Sequence, residues 1–260
     1  MLELDKIYCG DNCDLLGQLP RECIDLVVTS PPYDDLRTYG GHSWDFFGVA
    51  WQLKRVLKPG GVIVWVVADA TKNGSETGSS MEQALHFKRL GLNLHDTMIY
   101  AKANYLPLTH NRYEQAFEYM FVFSAGRPAT FTPKTTPILY PRNRDLKMRD
   151  GDGKKDGRQD SKENRICSNV FEYKTGGGHI DSYGFAHLHP APFPEKLAGD
   201  HIATWSNPGD LVLDPFSGSG TTAKAAKELG RRFLGLEINP EYCAIAKRRI
   251  AQQVIEFEAV

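Results

Sequence analysis

The sequence contains no long hydrophobic run. Its longest apolar stretch, VIVWVVA at 62–68, is far too short to span a bilayer and reads as a buried strand, so no membrane partner is expected. Cysteines are few, five in 260 residues, an odd number without a paired framework, which argues against a disulfide-built fold and for free thiols in a reducing cytoplasm. Cys9 and Cys13 have a metal-like spacing, but no second pair follows them, so buried or incidental thiols are the better reading. The opening MLELDKIYCGD carries acids where a signal peptide needs bases and has no apolar core segment, so export is not expected. There are no internal repeats. A net charge of −1 gives no overall basic character of the kind a nucleic-acid coat requires.

What is present is the composition of a globular protein, 41% hydrophobic and 24% charged, long enough for one large domain or one domain with an insert. Charge is unevenly spread. Between Arg127 and Lys174 twelve Lys and Arg face seven Asp and Glu, a local balance of +5 that leaves −6 for the rest. An acidic body with a basic insert can bind a polyanion locally; a solvated loop of mixed charge is the plainer alternative.

The first half alternates strands and helices. IDLVVTS (24–30) reads as a buried strand, and WDFFGVAWQLKRVLK (44–58) has apolar residues at helical spacing, ended by KPGG. GVIVWVVA is the next strand, followed by a polar loop and a helix from Ser80 to about Leu90. Two further strands are expected at 92–102 and 113–126. From Arg127 to about Ala186 the periodicity dissolves into prolines, mixed charge and a GGG at 176–178, as in a disordered insertion or a ligand-ordered loop region. The chain then resumes with a helix at about 194–205, the strand DLVLDPF, a Gly-rich turn, a helix, the strand RRFLGLEI and a last helix from Asn239. This pattern predicts an α/β fold around a mostly parallel sheet.

Two motifs carry chemistry. LVLDPFSGSGTTAKAA (211–226) is a strand, a turn rich in Gly and Ser, and a helix whose free N–H groups can receive an anion. Gly218, Gly220 and Ala223 satisfy GxGxxA, a weak match alone, and Glu237 ends the following strand 23 positions after Asp214, where an acid can accept hydrogen bonds from ribose hydroxyls. Together they predict a nucleoside-containing cofactor; a plain Gly-rich turn with a surface Glu is the alternative. The second motif, SPPY (Ser30, Pro31, Pro32, Tyr33), sits at the carboxyl end of another predicted strand, so the two can face one crevice. Two prolines rigidify the loop and can aim the Ser30 and Pro31 oxygens at a fixed point, where acceptors would activate an exocyclic amine, while Tyr33 stacks on a base.

With these residues in order, the sequence resembles the amino-group (N4-cytosine/N6-adenine) DNA methyltransferases in their beta-class motif order, in which the catalytic [SDN]PP[YFW] motif precedes the cofactor turn and the target recognition region lies between. CGDNCDLL looks like that family's acidic cofactor-contacting segment, RVLKPGG at 55–61 fits the helix after the catalytic strand, and HPAPFP at 189–194 looks like the segment that closes over the methionine part of the cofactor. The resemblance covers most of the chain. It implies a Rossmann-like S-adenosylmethionine-dependent methyltransferase fold, with residues 1–126 and 187–260 as the catalytic and cofactor-binding domain and 127–186 as an irregular target recognition insert. It implies catalytic Ser30, Pro31, Pro32 and Tyr33, and a cofactor site from Asp11, His189, Phe193, Pro194, Asp214, Pro215, Phe216, Ser217, Gly218, Ser219, Gly220, Thr221, Thr222 and Glu237.

Ser at the first motif position is commonest among members acting on N4 of cytosine, so the resemblance favours that base over N6 of adenine. C5 methylation needs a cysteine nucleophile, and the chain has no Pro-Cys dipeptide. A duplex base would have to be flipped out, with Arg37, Tyr39, Arg142, Arg144, Lys147, Arg149, Lys154, Lys155 and Arg158 as candidate DNA contacts. No metal is needed; His187 and His189 look like a pair, but Pro190 and the absence of a spaced acid argue against ligation. Trp44, Trp51, Trp65 and Trp205 are expected in the core. Expected partners are double-stranded DNA and, in a restriction-modification setting, a cognate endonuclease, with the protein a monomer or homodimer in a bacterial, archaeal or phage-infected cytoplasm. An NAD-dependent oxidoreductase would explain GxGxxA and Glu237 but not SPPY, HPAPFP or the insert, and a non-catalytic DNA-binding protein would bind without turnover.

Overall fold

A computed structural model describes residues 2–32, 44–104, 112–137, 164–174 and 194–251. Strands β1 (Lys6–Cys9), β2 (Ile24–Thr29), β3 (Leu57–Val67), β6 (Asn93–Lys102), β7 (Phe117–Ser124), β10 (Val170–Tyr173), β11 (Leu211–Asp214) and β12 (Arg232–Glu237) form one sheet in the order β1-β12-β11-β2-β3-β7-β6-β10. All neighbouring pairs are parallel except those made by β7, which runs against β3 and β6. The antiparallel pairs β4 (Thr71–Lys72) with β5 (Ser75–Glu76) and β8 (Thr135–Pro137) with β9 (Asn164–Ile166) lie outside it.

The central strands read as unbroken apolar runs because both faces are covered. Helices α4 (Glu195–Trp205), α5 (Thr221–Glu228) and α6 (Pro240–Ala251) pack with Leu26, Val28, Val62, Val64 and Val212 on one face. On the other, α1 (Asn12–Gly17), α2 (Phe46–Val56) and α3 (Ser79–Arg89) pack with Val27, Ile63, Trp65 and Leu213. Burying each such side chain contributes about 1.5–3 kcal/mol.

Several expectations need correction. Helix α2 ends at Val56, short of the expected stop at KPGG, and KPGG itself lies within β3, which begins at Leu57, with a register irregularity where Ile24 and Leu26 face Leu57 and Val62. Gly60 is left-handed there, φ +78°, and its N–H donates to the Ala125 carbonyl at 2.7 Å, so the proline and glycines form a bulge that pairing with β2 on either side carries. The region 127–186 is not wholly irregular: β8, β9 and β10 fall within it, and β10 joins the main sheet beside β6. These strands are three or four residues long, too short to print an alternation on the sequence. Trp51 is half exposed, at 50%, on the outer side of α2, whereas Trp65 and Trp205 are buried.

Sheet order locates the reactive edge. From β11 the chain moves through α5 to β12 on one side; from β2 it moves through α2 to β3 on the other. Neighbours β11 and β2 are thus the point where the winding reverses, and ligands of open α/β sheets bind outside the carboxyl ends at such a point.

Candidate active site

The two motifs meet at this point. Ser30, Pro31 and Pro32 follow the last residue of β2, and Asp214 ends the neighbouring β11, with Pro215 to Gly220 directly after it. Thr29, fully buried, donates from Oγ1 to Asp214 Oδ1 at 2.7 Å, and Thr222 Oγ1 on α5 donates to the Val28 carbonyl at 3.1 Å. Strand β2 and the Gly-rich turn with the start of α5 are therefore joined by two side-chain hydrogen bonds as well as by the sheet.

Asp214 folds the turn over itself by accepting from the Phe216 N–H at 3.1 Å. Its other oxygen, Oδ2, has no partner among the described residues, and neither has the buried Ser217 Oγ. Burial pushes the Asp214 carboxyl up to about 6, offset in part by the donors from Thr29 and Phe216. Gly218 and Gly220 occupy the left-handed region, φ +50° and +81°, which a side chain would strain; Gly220 then caps α5. Glu237 closes the turn from β12. Its Oε2 accepts from the Gly218 N–H and its Oε1 from the Asn239 N–H, both at 2.8 Å. Each carboxylate oxygen accepts more than one bond, so these contacts orient Glu237 without exhausting it. Gly235 is needed for close packing, since a Cβ there would overlap Ile7 Cδ1 and come within 2.6 Å of Ser217 Oγ.

Asp11 lies after β1, beside β12, where the Gly10 N–H reaches the Glu237 carbonyl at 2.9 Å. Its Oδ1 caps α1 by accepting from the N–H groups of Cys13 and Asp14 at 2.8 and 3.1 Å. The side chain is exposed on the same sheet edge as Glu237. Asn12 is buried behind it, 3.4 Å from the Pro215 carbonyl. Pro194 is the N-cap of α4, and the buried Pro215, Ser219 and Thr221 complete the described part of the expected cofactor set. Tyr33, His189, Phe193 and the nine DNA-contact candidates Arg37, Tyr39, Arg142, Arg144, Lys147, Arg149, Lys154, Lys155 and Arg158 lie outside the described residues.

Three contributors are not legible in the sequence. Trp44 donates from Nε1 to the Pro32 carbonyl at 3.1 Å, and its ring meets Phe216 edge-on at 4.8 Å, so it holds the SPP segment against the turn. Arg249 in α6 is buried at 1% exposure; its guanidinium donates to the Ser219 carbonyl, Ser219 Oγ and Thr221 Oγ1 at 2.9–3.1 Å. Glu195, first in α4, receives Arg249 Nη2 at 2.5 Å and Lys224 Nζ at 2.8 Å. Hydrophobicity alone assigns Trp44 to the core, and an Arg and a Lys on amphipathic helices carry only the ordinary signal of solvated charge. Cys243 is buried in α6.

Against known proteins, the family model N6_N4_Mtase, described as DNA methylase, matches residues 24–248. The chain belongs to this DNA methylase family. Among relatives of this methylase, the orphan methyltransferase M.BamHII of Bacillus amyloliquefaciens is 49% identical over 244 residues, covering 89% of this chain and 90% of that protein. The type II methyltransferase M.BglII of Bacillus subtilis is 29% identical over 94% of this chain and 68% of its own length. A solved Thermus thermophilus protein, TTHA0409, described as a candidate DNA modification methylase and complexed with S-adenosyl-L-methionine, is 26% identical with TM-score 0.65, covering 97% of each chain. The cytosine-N4-specific PvuII DNA methyltransferase shares the fold, with TM-score 0.67 at 24% identity over 96% of this chain and 87% of that one. The methylase fold is thus the mostly parallel, Rossmann-like architecture expected. Membership in this family removes the oxidoreductase alternative, whose GxGxxA match is the same glycine turn put to another use.

Proposed function

We propose that this methylase transfers a methyl group from S-adenosylmethionine to the exocyclic N4 amine of a cytosine flipped out of double-stranded DNA. The carrying observation is the junction of Ser30-Pro31-Pro32 with the Asp214–Gly220 turn at the winding reversal, fastened by the Thr29 to Asp214 hydrogen bond. S-adenosylmethionine is the cofactor, and the residues present suit it. The glycine turn offers main-chain N–H groups at the start of α5, Glu237 and Asp11 stand at the adjoining strand ends, and the buried Asp214 Oδ2 and Ser217 Oγ are polar atoms without partners among the described residues.

When bound, the cofactor supplies an electrophilic sulfonium methyl. The chain's own work is alignment and activation. Ser30 Oγ and the Pro31 carbonyl accept hydrogen bonds from the target amine, raising electron density on a nitrogen that ring conjugation makes a poor nucleophile. Tyr33 stacks on the flipped base, and the basic residues between 142 and 158 supply phosphate contacts that offset the few kcal/mol of unstacking. Residues 127–186 serve as the target recognition region, with β10 anchoring it to the sheet. The protein works in the cytoplasm on double-stranded DNA.

Ser30 supports cytosine because serine at that position is the pattern of the N4 members. The test is to incubate the protein with S-adenosylmethionine and unmethylated genomic DNA, digest to nucleosides and identify modified bases by mass spectrometry. N4-methylcytosine is expected. N6-methyladenine would overturn the base assignment, and no methylated base from folded, cofactor-bound protein would overturn the catalytic reading. Tyr33→Ala is expected to abolish turnover while leaving cofactor affinity largely intact.

A further inference from the structure

The buried charges behind the Gly-rich turn are out of proportion to a merely structural role. Arg249 is 1% exposed and Lys224 6%, and both converge on Glu195, Arg249 Nη2 at 2.5 Å and Lys224 Nζ at 2.8 and 2.9 Å from the two oxygens. Lys224 also lies 3.4 Å from Glu228. Arg249 Nε is buried without a partner among the described residues. Replacing such a cluster with apolar side chains often leaves a fold equally stable, so its retention calls for a geometric reason. The reason is visible in where the remaining donors go. Arg249 Nη1 is directed wholly at the turn, to Ser219 O, Ser219 Oγ and Thr221 Oγ1. These atoms flank Gly220, whose left-handed backbone sets the direction in which the α5 N–H groups point.

We propose that Arg249, Glu195 and Lys224 are positioning residues that hold the Ser219–Thr221 turn in its cofactor-receiving shape and lock it to the start of α4. None of the three touches substrate. The planar guanidinium fixes both the carbonyl and the hydroxyl of one residue and the hydroxyl of another, a constraint that a single ammonium cannot reproduce. Glu195 orients that guanidinium and simultaneously draws in Lys224 from α5, so α4, α5 and α6 meet the turn as one unit.

This proposal rests on S-adenosylmethionine being the cofactor, and the experiment separates the two. Calorimetric dissociation constants for S-adenosylmethionine are measured on full-length wild type, Arg249→Lys, Arg249→Met and Glu195→Gln, with kcat at saturating cofactor and Tm for each. The expected result is a cofactor Kd and KM raised roughly ten- to a hundredfold in Arg249→Met and several-fold in Arg249→Lys and Glu195→Gln. The kcat of the saturated enzyme should stay within about threefold, since the lost interaction positions the cofactor before the reaction begins. Glu195→Gln and Arg249→Lys nearly preserve shape, so these report even if Arg249→Met fails to fold. A wild-type Kd in folded Glu195→Gln and Arg249→Lys, whatever their Tm, overturns the clamp, as does a fall in kcat with Kd unchanged. Failure of the wild type itself to bind S-adenosylmethionine would instead overturn the functional reading and the clamp with it.

Discussion

Asp214→Asn should make the protein more stable at neutral pH and do so in a pH-dependent way. Burial raises the Asp214 carboxyl from an ordinary 3.8 to about 6. At about 1.36 kcal/mol per pH unit, keeping that carboxylate ionised in the folded chain costs about 3 kcal/mol. The sign follows from the raised folded value. The stability associated with the protonated acid is fully present below about pH 3.8 and lost as pH rises to about 6. Asparagine is neutral throughout, its amide oxygen can still accept from Thr29 Oγ1 and the Phe216 N–H, and it ends the repulsion from Glu237. Its NH2 group would sit where Oδ2 now lacks a partner, a cost of about 1–3 kcal/mol that does not vary with pH. Urea unfolding of both proteins from about pH 3.5 to 8 should therefore show the difference, variant minus wild type, growing by about 3 kcal/mol between about pH 4 and 6.5 and flat above. A difference independent of pH, or one that grows toward acid, would refute the argument. Methyl transfer is expected to fall as stability rises, because a buried unpaired carboxylate oxygen is a cost kept for its function.

Thr29→Val removes one of the donors that hold the Asp214 carboxyl down, so the acid limb of the pH–kcat/KM profile should move to higher pH, by roughly one unit if the lost bond is worth about 1.5 kcal/mol; an unmoved limb would sever Asp214 from the activity. Gly235→Ala places a methyl against Ile7 and Ser217, so a stability loss of about 1–3 kcal/mol is expected by urea denaturation, accompanied by weaker cofactor binding because Ser217 belongs to the turn. Trp44→Phe keeps a ring beside Phe216 but loses the donor to the Pro32 carbonyl. It should lower kcat more than cofactor affinity, and equal loss of both would show that the contact serves the turn rather than the SPP segment.

How much of this is legible in the sequence depends on the kind of signal. Buried parallel strands such as 24–29 and 62–67 announce themselves by composition, and helices α2 to α6 by spacing, so their order and sheet type follow directly. Strand β1 and helix α1 leave little trace because KIYC and NCDLLG are four and six residues long, although Asp11 before an amphipathic turn is an N-cap signal that points to α1. The motif residues at 30–32 and 214–222 are legible as chemistry because Gly, Pro and hydroxyl residues are informative at strand ends. Thr29 is not: it reads as one more β-branched strand residue, and only its position opposite Asp214 makes it a bridge. The same holds for Arg249, whose character depends on Glu195, 54 positions away in the chain.

These long-range contacts share a physical logic. Transfer of a methyl group in a line tolerates displacement of only about half an ångström between the two reacting partners, yet in the proposed reaction one partner is received by the loop after β2 and the other by the turn after β11. Apolar packing alone permits such loops to shift by small amounts, because hydrophobic burial is non-directional. Directional bonds between buried polar groups do not. Thr29 to Asp214 joins β2 to β11 at their ends, Thr222 to Val28 ties the start of α5 to β2, Trp44 holds the SPP carbonyl against Phe216, and Arg249 fixes the far side of the turn. Each costs desolvation, and in Asp214 that cost shows in a carboxyl pushed to about 6. The positions that bear this cost, 29, 44, 195, 214, 222 and 249, gather around the junction of the two motifs from the elements that border it, so alignment rather than fold stability is what they serve.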